Sequence, residues 1–291
     1  MALVGCYVGL SKTLVLVFPV FLLAWLRFGI AVVAMLGWLR PRPEEPALGR
    51  RAHRLLFLES FFGNFLFSIC MLFGVSLSSA LAAGVTMAAL PAVVAILSRI
   101  FLGERIGARV MLGIACAVGG IALVSLTRHA DGAGTPGGSA PLLGNALLFA
   151  AVCCEATYVV IGKRLTGSLG PKRISALINL WGFVLILPFG AWQAATFDFG
   201  AVSAASWLFL AGYSIAASVV TVWLWMTGLR HVDAAAAGTF TVLLPISAAL
   251  VGIVFLGERF SIAQAVAFGL ALTGILLATW PAAQGGRVSR A

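Results

Sequence analysis

The segment LPAVVAILSRIFLGER at 90–105 returns as LPISAALVGIVFLGER at 244–259. Phe101-Leu102-Gly103-Glu104-Arg105 and Phe255-Leu256-Gly257-Glu258-Arg259 are identical, and each stands ten residues after a proline, Pro91 or Pro245. Outward from this pair, residues 74–126 align without gaps on 228–280 at a constant offset of 154, with Gly84 on Gly238 and Gly120-Ile121 on Gly274-Ile275. Toward the N-terminus the match continues weakly at offset 151, with Tyr7 on Tyr158 and Lys12 on Lys163. Apolar bias inflates the general similarity, but a five-residue identity in register with a proline points to an internal duplication.

The duplicated unit belongs in lipid. Of 291 residues, 62% are hydrophobic and only 10% charged, where an ordinary soluble domain has about 45–50% and about 25%. With a mean hydropathy of +1.08, too few polar groups exist to cover a water-soluble globule. Secreted disulfide scaffolds, disordered chains and collagen-like fibres are excluded by the same figures. Ten apolar runs follow one another, at 2–17, 20–39, 55–74, 78–98, 107–126, 142–162, 174–194, 204–226, 234–256 and 260–280. Each is close to the ~20 residues that one helical crossing needs. Without two-residue alternation such runs are helices, because hydrocarbon admits only helices and closed barrels. The first run is short and contains Lys12, so either residues precede Met1 or that helix is recessed. It has no basic leader or small-residue cleavage pattern, so it reads as a helix and not as a cleaved signal peptide.

The charges set an orientation. Fifteen of the nineteen Lys/Arg fall in the connections after the second, fourth, sixth and eighth runs and in the C-terminal tail. Lys12, Arg27, Arg128 and Arg259 are the remainder. The positive-inside rule then puts the even connections and both termini in the cytoplasm of a bacterial-type inner membrane. The net charge of +10 is thereby a topological signal. No Lys/Arg run reaches the density of a nucleic-acid patch, so nucleic acid is not an expected partner. The Gly-, Pro- and Ser-rich segment 127–141 reads as an external linker between a first repeat at 1–126 and a second at 142–280, with a cytoplasmic tail at 281–291. An odd number of helices per repeat makes the second copy enter the membrane from the opposite face. The expected fold is therefore an all-α polytopic membrane protein with ten transmembrane helices arranged as two inverted five-helix repeats. Such repeats build many secondary transporters, with the substrate site near mid-membrane between the halves.

The order and duplication of these motifs resemble the drug/metabolite transporter superfamily, specifically its EamA type. The residues that match are Phe18-Pro19, Leu23-Ala24, Arg27-Phe28, Ala80 through Gly84, Leu90-Pro91, FLGER at 101–105, Gly113 and Gly119-Gly120-Ile121, with the second copy at 234–280. Where family members carry Trp-Gly in the first helix, this sequence has Gly5-Cys6-Tyr7. The resemblance implies export or import of amino acids, sugars, nucleotide sugars or drugs, and export is the direction expected from it.

Charged and polar groups inside the runs are the candidates for a pathway, because charge at membrane depth is expensive and faces a cavity or a partner. Glu155, thirteen residues into the sixth run, reads equally as a proton-titrating or amine-binding carboxylate and as a neutral carboxyl hydrogen-bonded to a neighbouring helix. Tyr158 shares its face. Glu59, near the cytoplasmic surface, is expected to pair with Arg54 or Arg51 by snorkelling. Asn64, one turn deeper, lines a pathway or bonds another helix. Arg27 suits packing or an ion pair as well as substrate binding, and Lys12 is expected to snorkel outward. Trp181 and Asn179 in the seventh run are further candidates, whereas Trp223 and Trp225 fit an interfacial belt. Pro91 and Pro245 read as symmetric mid-helix hinges. Gly103-Glu104-Arg105 and Gly257-Glu258-Arg259 read as tight turns between helices, Gly ending one and Glu starting the next.

No metal or organic cofactor is called for. The five cysteines make no Cys-x-x-Cys pair, HExxH is absent, and the three histidines lie between runs. That weighs against an intramembrane enzyme. No GxxxxGK[ST] loop is present to drive transport by ATP. The expectation is a secondary transporter of a small organic metabolite such as an amino acid or drug-like compound, acting by alternating access. The bilayer is its solvent, protons are a candidate co-substrate, and the chain is a monomer or homodimer. A passive channel is the alternative.

Overall fold

The computed structural model describes residues 13–41, 48–78, 89–103 and 141–241, with scattered single positions outside them. These residues are helical, with no strand among them. α1 (Val20–Ala34) follows Pro19 and ends in a single 3-10 turn at Leu36–Trp38. α2 (Arg50–Ser60) continues through a π turn at Phe61–Leu66 into α3 (Phe67–Leu77). α4 is Leu90–Phe101, α5 is Pro141–Thr166 and α6 is Pro171–Thr196. α7 (Ala204–Ser214) continues through a second π turn at Ile215–Val220 into α8 (Thr221–Leu229), and α9 is Ala234–Phe240. Among the described residues, four stretches are long and apolar enough to span a bilayer: Arg50–Gly74, Leu142–Thr166, Pro171–Thr196 and Ala204–Leu229. Large apolar side chains such as Leu142, Trp192 and Leu208 lie on the outer surface, where lipid and not water is the solvent. The protein is a multi-pass, all-helical membrane protein.

Two antiparallel helix pairs form the frame. α1 runs along α6, with Leu22 N–H donating to Gln193 Oε1 (2.8 Å) near one end and Lys172 Nζ 5.4 Å from the Trp38 ring at the other. Between them the Trp25 side chain lies on bare backbone at Gly190, where a Cβ would meet its Cβ at 2.3 Å. The span of α2 and α3 runs along α5 in the same way. Gly162 faces Glu59, Gly63 faces Tyr158, Gly74 faces Leu148, and Gly144 faces Ser78. Small residues at each crossing let the helices approach closely, which is how helices associate without a hydrophobic drive in lipid. α4 lies against α5 and α9, with Gly238 of α9 on Val94.

The two spans with π turns run in opposite senses. Arg50–Gly74 begins at the end where Ala204–Leu229 finishes, since Leu229 packs beside Gly162 and Glu59. The π turns at 61–66 and 215–220 are themselves 154 residues apart, the offset of the sequence repeat. At each π turn a hydroxyl donates to a backbone carbonyl: Ser68 Oγ to Asn64 O (2.5 Å) and Thr221 Oγ1 to Ala216 O (2.7 Å).

Pro91 stands in the first turn of α4, after a turn at Ala89 that follows the helical residues Thr86 and Met87. There its missing N–H is one that the helix would leave unpaired in any case. Among the described residues, Pro188 sits inside α6. Pro245 lies outside the described residues.

Candidate functional site

Several polar residues inside the bundle gather where α2 and the first π turn meet α5, α6 and α8. The first is Glu59 in the last turn of α2, fully buried. Both of its carboxylate oxygens lack a hydrogen-bond partner among the described residues. The expected pairing with Arg54 or Arg51 does not form, because both arginines are solvent-exposed while the carboxyl turns inward. Its Oε1 lies 2.8 Å from where a Cβ on Gly162 of α5 would stand, with Leu229 Cδ2 and Met226 Cε of α8 at 3.1 and 3.3 Å from that point. Three helices thus close around an acid that has no donor.

One turn along α5 from Gly162 comes Tyr158, whose ring lies flat on the backbone of Gly63 in the first π turn; a Cβ at residue 63 would meet its Cδ2 at 2.3 Å. Glu155 follows on the same face, three residues further. Tyr158 and Glu155 are each 7% exposed, and Tyr158 lies within electrostatic range of both glutamates. Glu59, Tyr158 and Glu155 therefore form one line along α5, over seven residues of helix or about 10 Å.

Two asparagines brace this line. Asn64 Nδ2 donates to Ile178 O at 3.0 Å, and Ser60 Oγ donates to the same carbonyl at 2.7 Å. Asn179 Nδ2 donates to Ser175 O (2.8 Å) and across to Ser218 O in the second π turn (3.2 Å). Both amides are thus occupied in joining α6 to the two π turns. Trp181 packs edge-on against Phe57, with ring centroids 5.2 Å apart. Arg27, 8% exposed in α1, places its guanidinium 4.4 Å from the centre of the Phe28 ring, a cation–π geometry.

The end carrying Glu59 is tied by charges. Glu45 accepts from Arg173 Nη1 (2.8 Å) and from the backbone N–H of Gly170 (3.0 Å), immediately before α6. A carboxylate there complements the positive end of the helix dipole. Lys163 donates to Leu229 O (3.2 Å) and to Val232 O, and Arg164 donates to Phe101 O, so cations finish α8 and α4. Lys172 Nζ is 5.7 Å from the Trp223 ring as well as close to Trp38. Gly103 follows the last turn of α4 with φ of 72°, a left-handed conformation that glycine adopts without strain. Lys12, Glu104, Arg105, Gly257, Glu258 and Arg259 lie outside the described residues.

Sequence reasoning missed Gly63, Gly162, Glu45 and Arg173. The Gly63-Asn64 pair between phenylalanines was the available signal for a close approach; nothing local links Glu45 to Arg173.

A family model for the EamA-like transporter family matches residues 1–126 and 142–280. The chain belongs to the EamA-like transporter family. It is similar to the Bacillus subtilis (strain 168) protein named "Uncharacterized transporter YetK", 34% identical over 278 residues, covering 95% of this chain and 83% of that protein. An "Uncharacterized transporter" of Archaeoglobus fulgidus is 26% identical over 264 residues, covering 88% and 87%. A crystal structure at 18% identity has the same fold, with a TM-score of 0.67 over 96% of this chain and 94% of the other. As a member of this family the protein is a transporter and not an enzyme.

Proposed function

We propose that this EamA-family protein is a proton-coupled secondary transporter that exports a small organic metabolite, such as an amino acid or drug-like compound, from the cytoplasm. It has ten spans in two inverted five-helix repeats that alternate around a central site. It lies in a bacterial inner membrane with both termini cytoplasmic. The observation that carries this reading is the pair of π turns, 154 residues apart in spans of opposite direction. Equivalent irregularities in two antiparallel copies are what a pseudo-two-fold axis in the membrane plane generates, and transporters place their sites at such a repeat interface. Glu155 is the coupling residue: it is buried beside Tyr158, where α5 meets the first π turn.

The test is a metabolite-uptake screen in everted vesicles with and without a pH gradient. Export appears there as uptake that saturates and shows counterflow. Glu155→Gln is expected to abolish gradient-driven uptake while leaving counterflow intact. Unsaturable flux would indicate a channel, and unchanged gradient dependence in Glu155→Gln would remove the coupling role.

A further inference from the structure

The Glu59 carboxyl is fully buried, and no cation among the described residues pairs with it. Its residue has no exposed surface, its oxygens have no donor among the described residues, and one oxygen lies against Gly162 of α5, where Leu229 and Met226 of α8 also approach. That crowding leaves room for a proton and for no organic amine. An ionised carboxylate in this place would have neither solvent nor counter-charge, so the packed arrangement holds only with the neutral acid. We propose that Glu59 is a proton-binding site whose occupancy governs closure of the basic end of the bundle. With the proton bound, α2, α5 and α8 close on the neutral side chain; when it leaves to water, the carboxylate must be hydrated and the three helices part. This deepens the alternating-access reading and rests on it, because only a protein that opens this end has use for such a site.

The charged and titratable groups on the elements packed around Glu59 are accounted for. On α5, Tyr158, Glu155, Cys154 and Cys153 lie deeper, Lys163 is bonded to Leu229 O and Val232 O, and Arg164 is bonded to Phe101 O. On α6, Arg173 is paired with Glu45, and Lys172 sits by the Trp38 and Trp223 rings. Arg230 and His231 after α8 are exposed, as are Arg50, Arg51, His53 and Arg54 on α2. None of these cations stands as counter-ion to Glu59.

The experiment uses the full chain with its five native cysteines changed to alanine and Met226→Cys as reporter, labelled by a maleimide in detergent. Labelling rates are measured from about pH 6 to about pH 9 and divided by those of the same chain carrying Glu59→Gln, which cancels the titration of the thiol itself. The ratio is expected to rise by at least about tenfold, because one titrating group shifts a two-state equilibrium by about that factor per pH unit beyond its midpoint. A ratio constant to within about twofold over that range, well below the single-proton expectation, overturns the proposal. Should Glu59→Gln not purify as a monodisperse species, Glu59→Leu, also neutral at every pH, serves as the divisor. No substrate is needed and Glu155 is intact, so a flat ratio beside normal gradient-driven transport removes the role of Glu59 alone. A rising ratio beside transport indifferent to Glu155→Gln removes the coupling role of Glu155 and leaves Glu59 as the group that closes this end.

Discussion

The span Arg50–Gly74 and the span Ala204–Leu229 share a plan and differ in chemistry. Each carries a six-residue π turn at the same place in its half, and each has a hydroxyl that answers a carbonyl at that turn. At the matching offset, Glu59 stands opposite Tyr213, Gly63 opposite Ala217 and Asn64 opposite Ser218. The irregular backbone is common property, whereas the orphan acid and the bare glycine belong to the first span alone. A bend that recurs with different side chains is kept for its mechanics, and the side chains that break the symmetry carry what is particular to this protein.

Substitutions at matched positions test this contrast. The largest expected effect is at Gly63→Ala, whose methyl would enter the Tyr158 ring. Overpacking of this kind costs roughly 1–3 kcal/mol, so the thermal midpoint in detergent, followed by tryptophan fluorescence, should fall sharply. The mirror change Ala217→Gly should cost only about 1 kcal/mol through helix propensity. Equal losses would erase the distinction between the spans. Next come the asparagine braces. Asn64→Leu and Asn179→Leu each remove an amide that joins a π turn to α6, and interhelical hydrogen bonds in membranes contribute about 0.6 to about 2 kcal/mol. Similar drops in midpoint would show that both turns depend on α6 alike. Ser68→Ala and Thr221→Val, which remove the hydroxyls, are expected to cost about 0.5–1.5 kcal/mol of stability each, read as a smaller fall in the midpoint. The smallest effect is expected from Tyr213→Phe in the Met226→Cys labelling assay. The pH dependence should persist unchanged, since the titrating group at that level is in the other span.

Much of the frame was legible because membrane physics is simple. Long apolar runs must be helices, and the seventh and eighth runs correspond to α6 and the span Ala204–Leu229 within a few residues at most ends. The π turns were not legible. Phe61–Leu66 and Ile215–Val220 lie in mostly apolar runs without a regular polar period, so one extra residue per turn leaves no trace in the pattern. Glu59 was misread for a related reason. Snorkelling assumes that an acid near a span end has open water beside it, but Gly162 lets α5 close over that position. The Glu45–Arg173 pair joins residues 128 apart, and only the fold brings such partners together.

The Glu45 carboxylate bonds at once to a guanidinium and to the backbone N–H that opens α6. Both bonds are charge-assisted, and both residues of the pair are about nine-tenths shielded from solvent, so salt weakens them little. Separating residue 45 from the 170–173 turn breaks the two bonds together and strips a helix of its anion. Any opening that parts these residues must therefore give up both bonds in one step rather than one after the other.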